Sequence, residues 1–167
     1  MELTAKTAEQ NARTKSRGMP LRAVLASDTS LYETSGGGLF YGVDTWMFTY
    51  ALSATDIVAI SVENKGIRVE PSPAVEPALL QLPAISNWLI DSDQAYSLAQ
   101  RSGGSVVSAP FGEPFFRRSM ASVDGESTPV WVLPHRRQGL PVLVRADTGA
   151  EVFLKDPVSR LLTRHPR

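Results

Sequence analysis

The sequence predicts an α+β fold of two similar units, each a helix packed on a curled antiparallel β-sheet. Three observations predict it. A short alanine-bearing helix, a Trp-centred strand and a strand closed by a glycine turn occur twice. The first set is Ala8 and Ala12, Trp46 to Tyr50, and Ile57 to Val62 with Gly66; the second is Ala95 and Ala99, Val130 to Leu133, and Val142 to Val144 with Gly149. The spacings nearly agree, at 38 and 36 positions from helix alanine to tryptophan and 20 and 18 from tryptophan to glycine. The strand segments also alternate with period two between turn-forming residues, as antiparallel hairpins do.

The implied division is a first unit over 1–70, a Pro-rich linker over 71–87, a second unit over 88–155 and a C-terminal tail with a short helix over 156–167. A chain of 167 residues buries a real core without staples. It holds no cysteine, which excludes disulfides, thiolate zinc sites, iron–sulfur clusters and a cysteine nucleophile. Seventeen basic and seventeen acidic side chains cancel, the opposite of the basic footprint of a nucleic-acid binder. The halves differ only slightly: 1–83 carries seven basic against nine acidic groups, and 84–167 ten against eight. No run approaches a membrane span, and the first residues lack the apolar core of a signal peptide. The expectation is a chain that is cytoplasmic or has lost a leader.

In the first unit, residues 4–16 favour helix, with Thr7-x-x-Gln10 as a capping box and Gly18 and Pro20 as the stop. Its thin apolar face of Leu3, Ala5, Ala8 and Ala12 suits close packing on a sheet. A strand follows over Pro20 to Ser27, and Ser35-Gly36-Gly37-Gly38 reads as a hairpin connection, since it lacks the lysine and hydroxyl of a phosphate loop. Trp46, Phe48, Tyr50 and Leu52 form one face of the next strand, a core stripe by its alternation. Val58, Ile60 and Val62 continue it. Glu63-Asn64-Lys65-Gly66 closes a tight turn in which Gly66 is expected to take positive φ.

Pro71, Pro73, Pro77 and Pro83 disfavour both helix and central strand in the linker. Its Val75, Leu79, Leu80 and Leu82 predict that it lies along the protein.

In the second unit Asp91 or Ser92 caps a helix whose inward stripe is Ala95, Leu98, Ala99 and Ser102, and Trp88 staples the approach to it. Gly103-Gly104 ends the helix. Strands are expected near Ser105 to Ser108, Arg117 to Val123, Pro129 to Leu133, Leu140 to Ala146 and Glu151 to Leu154. Pro134 confines the third of these to an edge or bulge. Asp147-Thr148-Gly149 makes a hairpin turn, and Asp156-Pro157 opens the terminal helix.

Ile90 to Ala95, Leu98-Ala99, Pro129-Val130-Trp131-Val132-Leu133 and Val142 to Val152 together resemble the PepSY-like domain pattern. That pattern is a Ser/Asp-started helix with alanines four apart, a P-x-W strand and a strand ending V-x-A-D-T-G-x-x-V. The first unit resembles a degenerate copy, with Trp46 in place and Glu63-Asn64-Lys65-Gly66 instead of Asp-Thr-Gly. The resemblance marks Trp46, Gly66, Trp131, Asp147 and Gly149 as structural positions. It implies cystatin-like helix-on-sheet repeats in bacterial proteins that are often exported or lipid-anchored, some of them inhibitory modules of peptidases. Gly139 to Gly149, downstream of a Trp strand, is also similar to the ending of YrhB-like bacterial toxin-immunity proteins.

Catalytic chemistry finds few carriers. The two histidines are His135, beside Arg136-Arg137, and His165, and no Gly-x-Ser-x-Gly elbow accompanies them, so a hydrolase using His135 is the lesser alternative. Asp91 and Asp93 lack the other ligands of a calcium loop, and Asp147-Thr148-Gly149 lacks the second carboxylate of an aspartic-protease dyad. No cofactor or metal is expected. The predicted role is non-enzymatic protein binding, to a peptidase or envelope partner, with cytoplasmic toxin immunity as the alternative. Strand addition at a sheet edge is one route. The expected contacts are Phe111, Phe115 and Phe116 in one loop, and Tyr32 and Tyr41.

Overall fold

A computed structural model describes residues 3–33, 39–86, 88–102, 105–106, 119–122, 129–137 and 140–152, with side chains over a narrower set. The fold is α+β, with antiparallel pairing throughout the described strands. Helix α1 spans Ala5–Arg13, followed by strands β1 Leu21–Glu33, β2 Leu39–Ala51, β3 Ile57–Glu63 and β4 Gly66–Val69. Helices α2 Pro77–Gln81 and α3 Ser92–Arg101 come next, then β5 Ser105–Val106, β6 Ser119–Ser122, β7 Pro129–Arg137, β8 Leu140–Arg145 and β9 Glu151–Val152.

The strand order is β4-β3-β2-β1-β6-β7-β8-β9, with β5 pairing β7. The halves meet where β1 pairs β6, through Ala23 with Ala121, Val24 with Met120 and Leu25 with Ser119. Outward from that junction each half runs in the same sequence: inner strand, Trp-bearing strand, third strand, outer strand. Helix α1 packs on β2 and β3, and α3 on β7 and β8.

Both helices touch the sheet through alanines. Ala5, Ala8 and Ala12 of α1 and Ala95 and Ala99 of α3 are fully or almost fully buried. Small side chains let the helix backbone approach the strands, where Trp46, Phe48, Ile60, Met120, Trp131 and Val144 fill the layer between. The alternation on β2 holds for Trp46, Phe48 and Tyr50, all buried, but Leu52 is 61% exposed. The strand stops at Ala51, and the Leu52 amide turns to the Asp56 carbonyl at 3.0 Å. Pleat alternation no longer governs a residue beyond the ladder.

Several local expectations are corrected. The N-cap of α1 is Thr4, whose hydroxyl accepts from the Thr7 amide, so Thr7 stands inside the first turn and does not open a box. The full capping box belongs to α3, between Asp91 and Gln94. Strand β1 runs on to Glu33, because β2 pairs with it along its whole length. Gly66 does not take positive φ; Gly18 and Gly149 do. Strand β7 continues past Pro134 to Arg137, with a register shift against β8 between Val132 and Arg136 that accommodates the missing donor.

The linker contains a helix, α2, that its prolines were expected to disfavour. Pro77 sits in its first turn, where an amide would have no partner in any case. The linker lies along the protein and is fastened near its C-terminal end. The Ile85 amide donates to the Leu21 carbonyl at 2.9 Å, and Arg22 donates to the Leu82 carbonyl at 2.9 Å. The Leu89 and Ile90 amides share the Ala146 carbonyl at 2.7 and 2.8 Å. The terminal helix expected after Asp156 lies outside the described residues.

Candidate functional site

Two features stand out: a clasp where the helix starts meet, and a bare outer strand. The clasp is built from both halves. Trp46 Nε1 donates to the Leu3 carbonyl at 2.6 Å, and Trp131 Nε1 donates to the Ile90 carbonyl at 2.9 Å. Each acceptor is the residue just before a helix N-cap, Thr4 for α1 and Asp91 for α3. The two indoles meet edge to face, centroids 6.0 Å apart, and Trp88 meets Trp131 likewise at 5.9 Å. Lys6 lies over the Trp88 ring at 5.7 Å and donates to the Leu89 carbonyl at 3.0 Å.

Helix α1 is also capped from the other half. Its Ala5 amide donates to Ser92 Oγ at 3.1 Å and its Lys6 amide to Asp91 Oδ1 at 3.0 Å. That same Asp91 oxygen accepts the Ser92 amide at 2.7 Å, so one carboxylate serves the positive ends of two helices. This clasp uses its polar groups on the fold itself.

The other buried polar groups are likewise engaged. Glu9 accepts from Arg13 at 2.8 Å and from the Tyr50 hydroxyl at 3.3 Å. Burial, and then the neighbouring Glu9 charge, push the Tyr50 hydroxyl well above the usual tyrosine range. Ser16 Oγ donates to the Arg13 carbonyl at 2.8 Å, and Ser61 Oγ donates to Glu70. Among the described residues no group of His, Cys, Asp and Glu side chains is arranged to hold a metal ion.

The positions marked by the resemblance differ in their surroundings. Trp46 and Trp131 come together. Asp147 receives Arg145 through both carboxylate oxygens, at 3.0 and 2.9 Å, in the turn where Gly149 takes φ 77°. A Cβ on Gly149 would lie 2.9 Å from Leu98 Cδ1, which shows how closely this turn packs on α3. Among the described residues, nothing lies within 4 Å of a Cβ built on Gly66.

Every residue of β4 is exposed, with Ile67 at 41% and Val69 at 52%. Among the described strands it stands at the end of the sheet order and pairs only β3, through Val69 with Ile60 and Ile67 with Val62. The sequence analysis identified the turn ahead of these residues and no edge strand; the signal was the brevity of the segment between Gly66 and Pro71.

The aromatic residues expected at a partner surface lie at or beyond the limits of the described set. Tyr32 and Tyr41 lie on the far reaches of β1 and β2, pairing with Phe40 and Leu31, and their side chains lie outside the described set. Phe111, Phe115 and Phe116 lie outside the described residues. His135 sits in β7 opposite Val106, its side chain likewise undescribed. Among the described residues, no helix is long and apolar enough to cross a membrane. No family model matches the chain, and no curated protein or solved structure matches it.

Proposed function

We propose that this chain is a non-enzymatic protein-binding module built from two PepSY-like units, with β4 as its contact strand. The observation that carries the proposal is the exposure of Ile67 and Val69 on a strand that, among the described strands, ends the sheet order and pairs only β3. Such an edge presents unpaired amides and carbonyls to an incoming extended segment, and neighbouring apolar side chains add selectivity. The duplication is supported by the repeated strand sequence on either side of the β1–β6 junction and by the matching indole bonds to Leu3 and Ile90. The engagement of Glu9, Ser16, Ser61 and Ser92 in internal hydrogen bonds favours a structural over a chemical use of the interior.

A photo-crosslinking residue placed at Ile67 in the native cell tests the reading, with Gln10 on the exposed face of α1 as control. The expected result is a discrete protein adduct at 67 and none at 10. A peptidase or envelope protein in that adduct favours the inhibitory role, and a toxin favours immunity. No adduct at 67, or a stoichiometric small molecule or metal in the purified protein, overturns the proposal.

A further inference from the structure

We propose that β4 pairs with β4 of a second copy of this chain, antiparallel, with Val69 facing its own counterpart. This rests on the reading of β4 as a contact edge and names its occupant.

Backbone direction defines what the edge offers. The Glu70 amide donates inward to the Ala59 carbonyl at 2.8 Å, and along an antiparallel strand inward and outward amides alternate. The outward groups of the strand therefore belong to Ile67 and Val69, the two exposed apolar residues. Pro71 has no amide to offer, which limits the ladder to a few residues.

Charge chooses the register. Arg68 lies between the two outward residues and Glu70 follows them. When Val69 faces Val69, Arg68 of each copy stands across from the partner's Glu70, an attractive pair formed twice. When Ile67 faces Val69, Arg68 stands across from Arg68, which is unfavourable. The strand is thus complementary to itself in one arrangement. Arg68 and Glu70 already pair within the chain at 3.1 Å, so the exchange leaves neither charge stranded. In this register Ile67 and Val69 of both copies extend the Ile60 and Val62 row of β3 across the junction. A contact this short gives a weak, concentration-dependent dimer.

The absence of cysteine makes the test direct. Val69→Cys introduces a single thiol whose partner in the proposed dimer lies at about 5.5 Å between Cα atoms, within disulfide reach. Under mild oxidation it is expected to cross-link at least about tenfold faster than Leu52→Cys, an exposed position off the edge. Added to Val69→Cys, Arg68→Glu and Glu70→Arg are each expected to slow cross-linking, and an equal mixture of the two double variants to recover it as a heterodimer. Circular dichroism verifies that each variant is folded, and recovery on mixing is a result that local damage cannot produce. Cross-linking no faster than at Leu52→Cys, or a mixture as slow as its components, overturns self-pairing. Should the photo-crosslinker at Ile67 then still capture a different protein, the contact edge stands and only its occupant changes.

Discussion

Trp46 and Trp131, 85 positions apart in the chain, meet edge to face at 6.0 Å while each indole N–H holds the carbonyl that precedes a helix. Each ring therefore fixes where its own helix starts, and the contact between the rings ties the two starts together.

Replacing either indole with a phenyl ring removes that donor and leaves a small void. Trp46→Phe and Trp131→Phe are each expected to cost about 2 kcal/mol in urea unfolding. Because the rings touch, the double variant is expected to fall short of the sum by about 1 kcal/mol. Strict additivity would show that the two rings do not support each other.

Asp91 caps two helices, whereas Thr4 caps one. Asp91→Ala is accordingly expected to cost about 2–3 kcal/mol and Thr4→Ala about 1 kcal/mol. Hydrogen exchange provides the sharper check. Protection should fall in the first turns of both α1 and α3 on Asp91→Ala, and in α1 alone on Thr4→Ala.

The two turn glycines are expected to respond differently. At Gly149, φ is 77° and a Cβ meets Leu98 at 2.9 Å, so Gly149→Ala combines a left-handed penalty of about 1–2 kcal/mol with a steric one. Gly66 has neither constraint, and Gly66→Ala is expected to stay within about 0.5 kcal/mol of the parent. Thermal midpoints of the two variants check the difference.

Stability is expected to fall in strong alkali through Tyr50. Its hydroxyl is held above its ordinary value, first by burial and then by the Glu9 charge, so the folded state keeps a proton that the unfolded chain releases. The contribution is complete below about pH 10, the tyrosine value in the unfolded chain, and is lost as pH rises from there toward the folded value. Tyr50→Phe should lower stability near neutrality while flattening this alkaline slope. Urea titrations across pH 9–11 with both proteins check the sign.

The legible parts of the fold were those governed by neighbours in sequence. Alternation in Trp46, Phe48 and Tyr50 marked β2, and alanines four apart marked the buried faces of both helices. Leu52 departed from the pattern because the ladder ends one residue earlier, which only the partner strand decides. Helix α2 was hidden by its prolines, since Pro77 is harmless in a first turn and disruptive one turn later. The cross-capping of Ala5 by Ser92 and Lys6 by Asp91 spans more than 80 residues, and no local pattern encodes it. The candidate contact strand was marked in the sequence only by the turn before it, and its exposure follows from its place at the end of the sheet order among the described strands.

The pairing of Val24 with Met120 carries a consequence for biosynthesis. Synthesis at about 5–20 residues per second separates the emergence of these two residues by roughly 5–20 s. Throughout that interval the nascent first half holds β1 with one side unzipped, and the polypeptide must survive the wait without recruiting a neighbour on the same polysome.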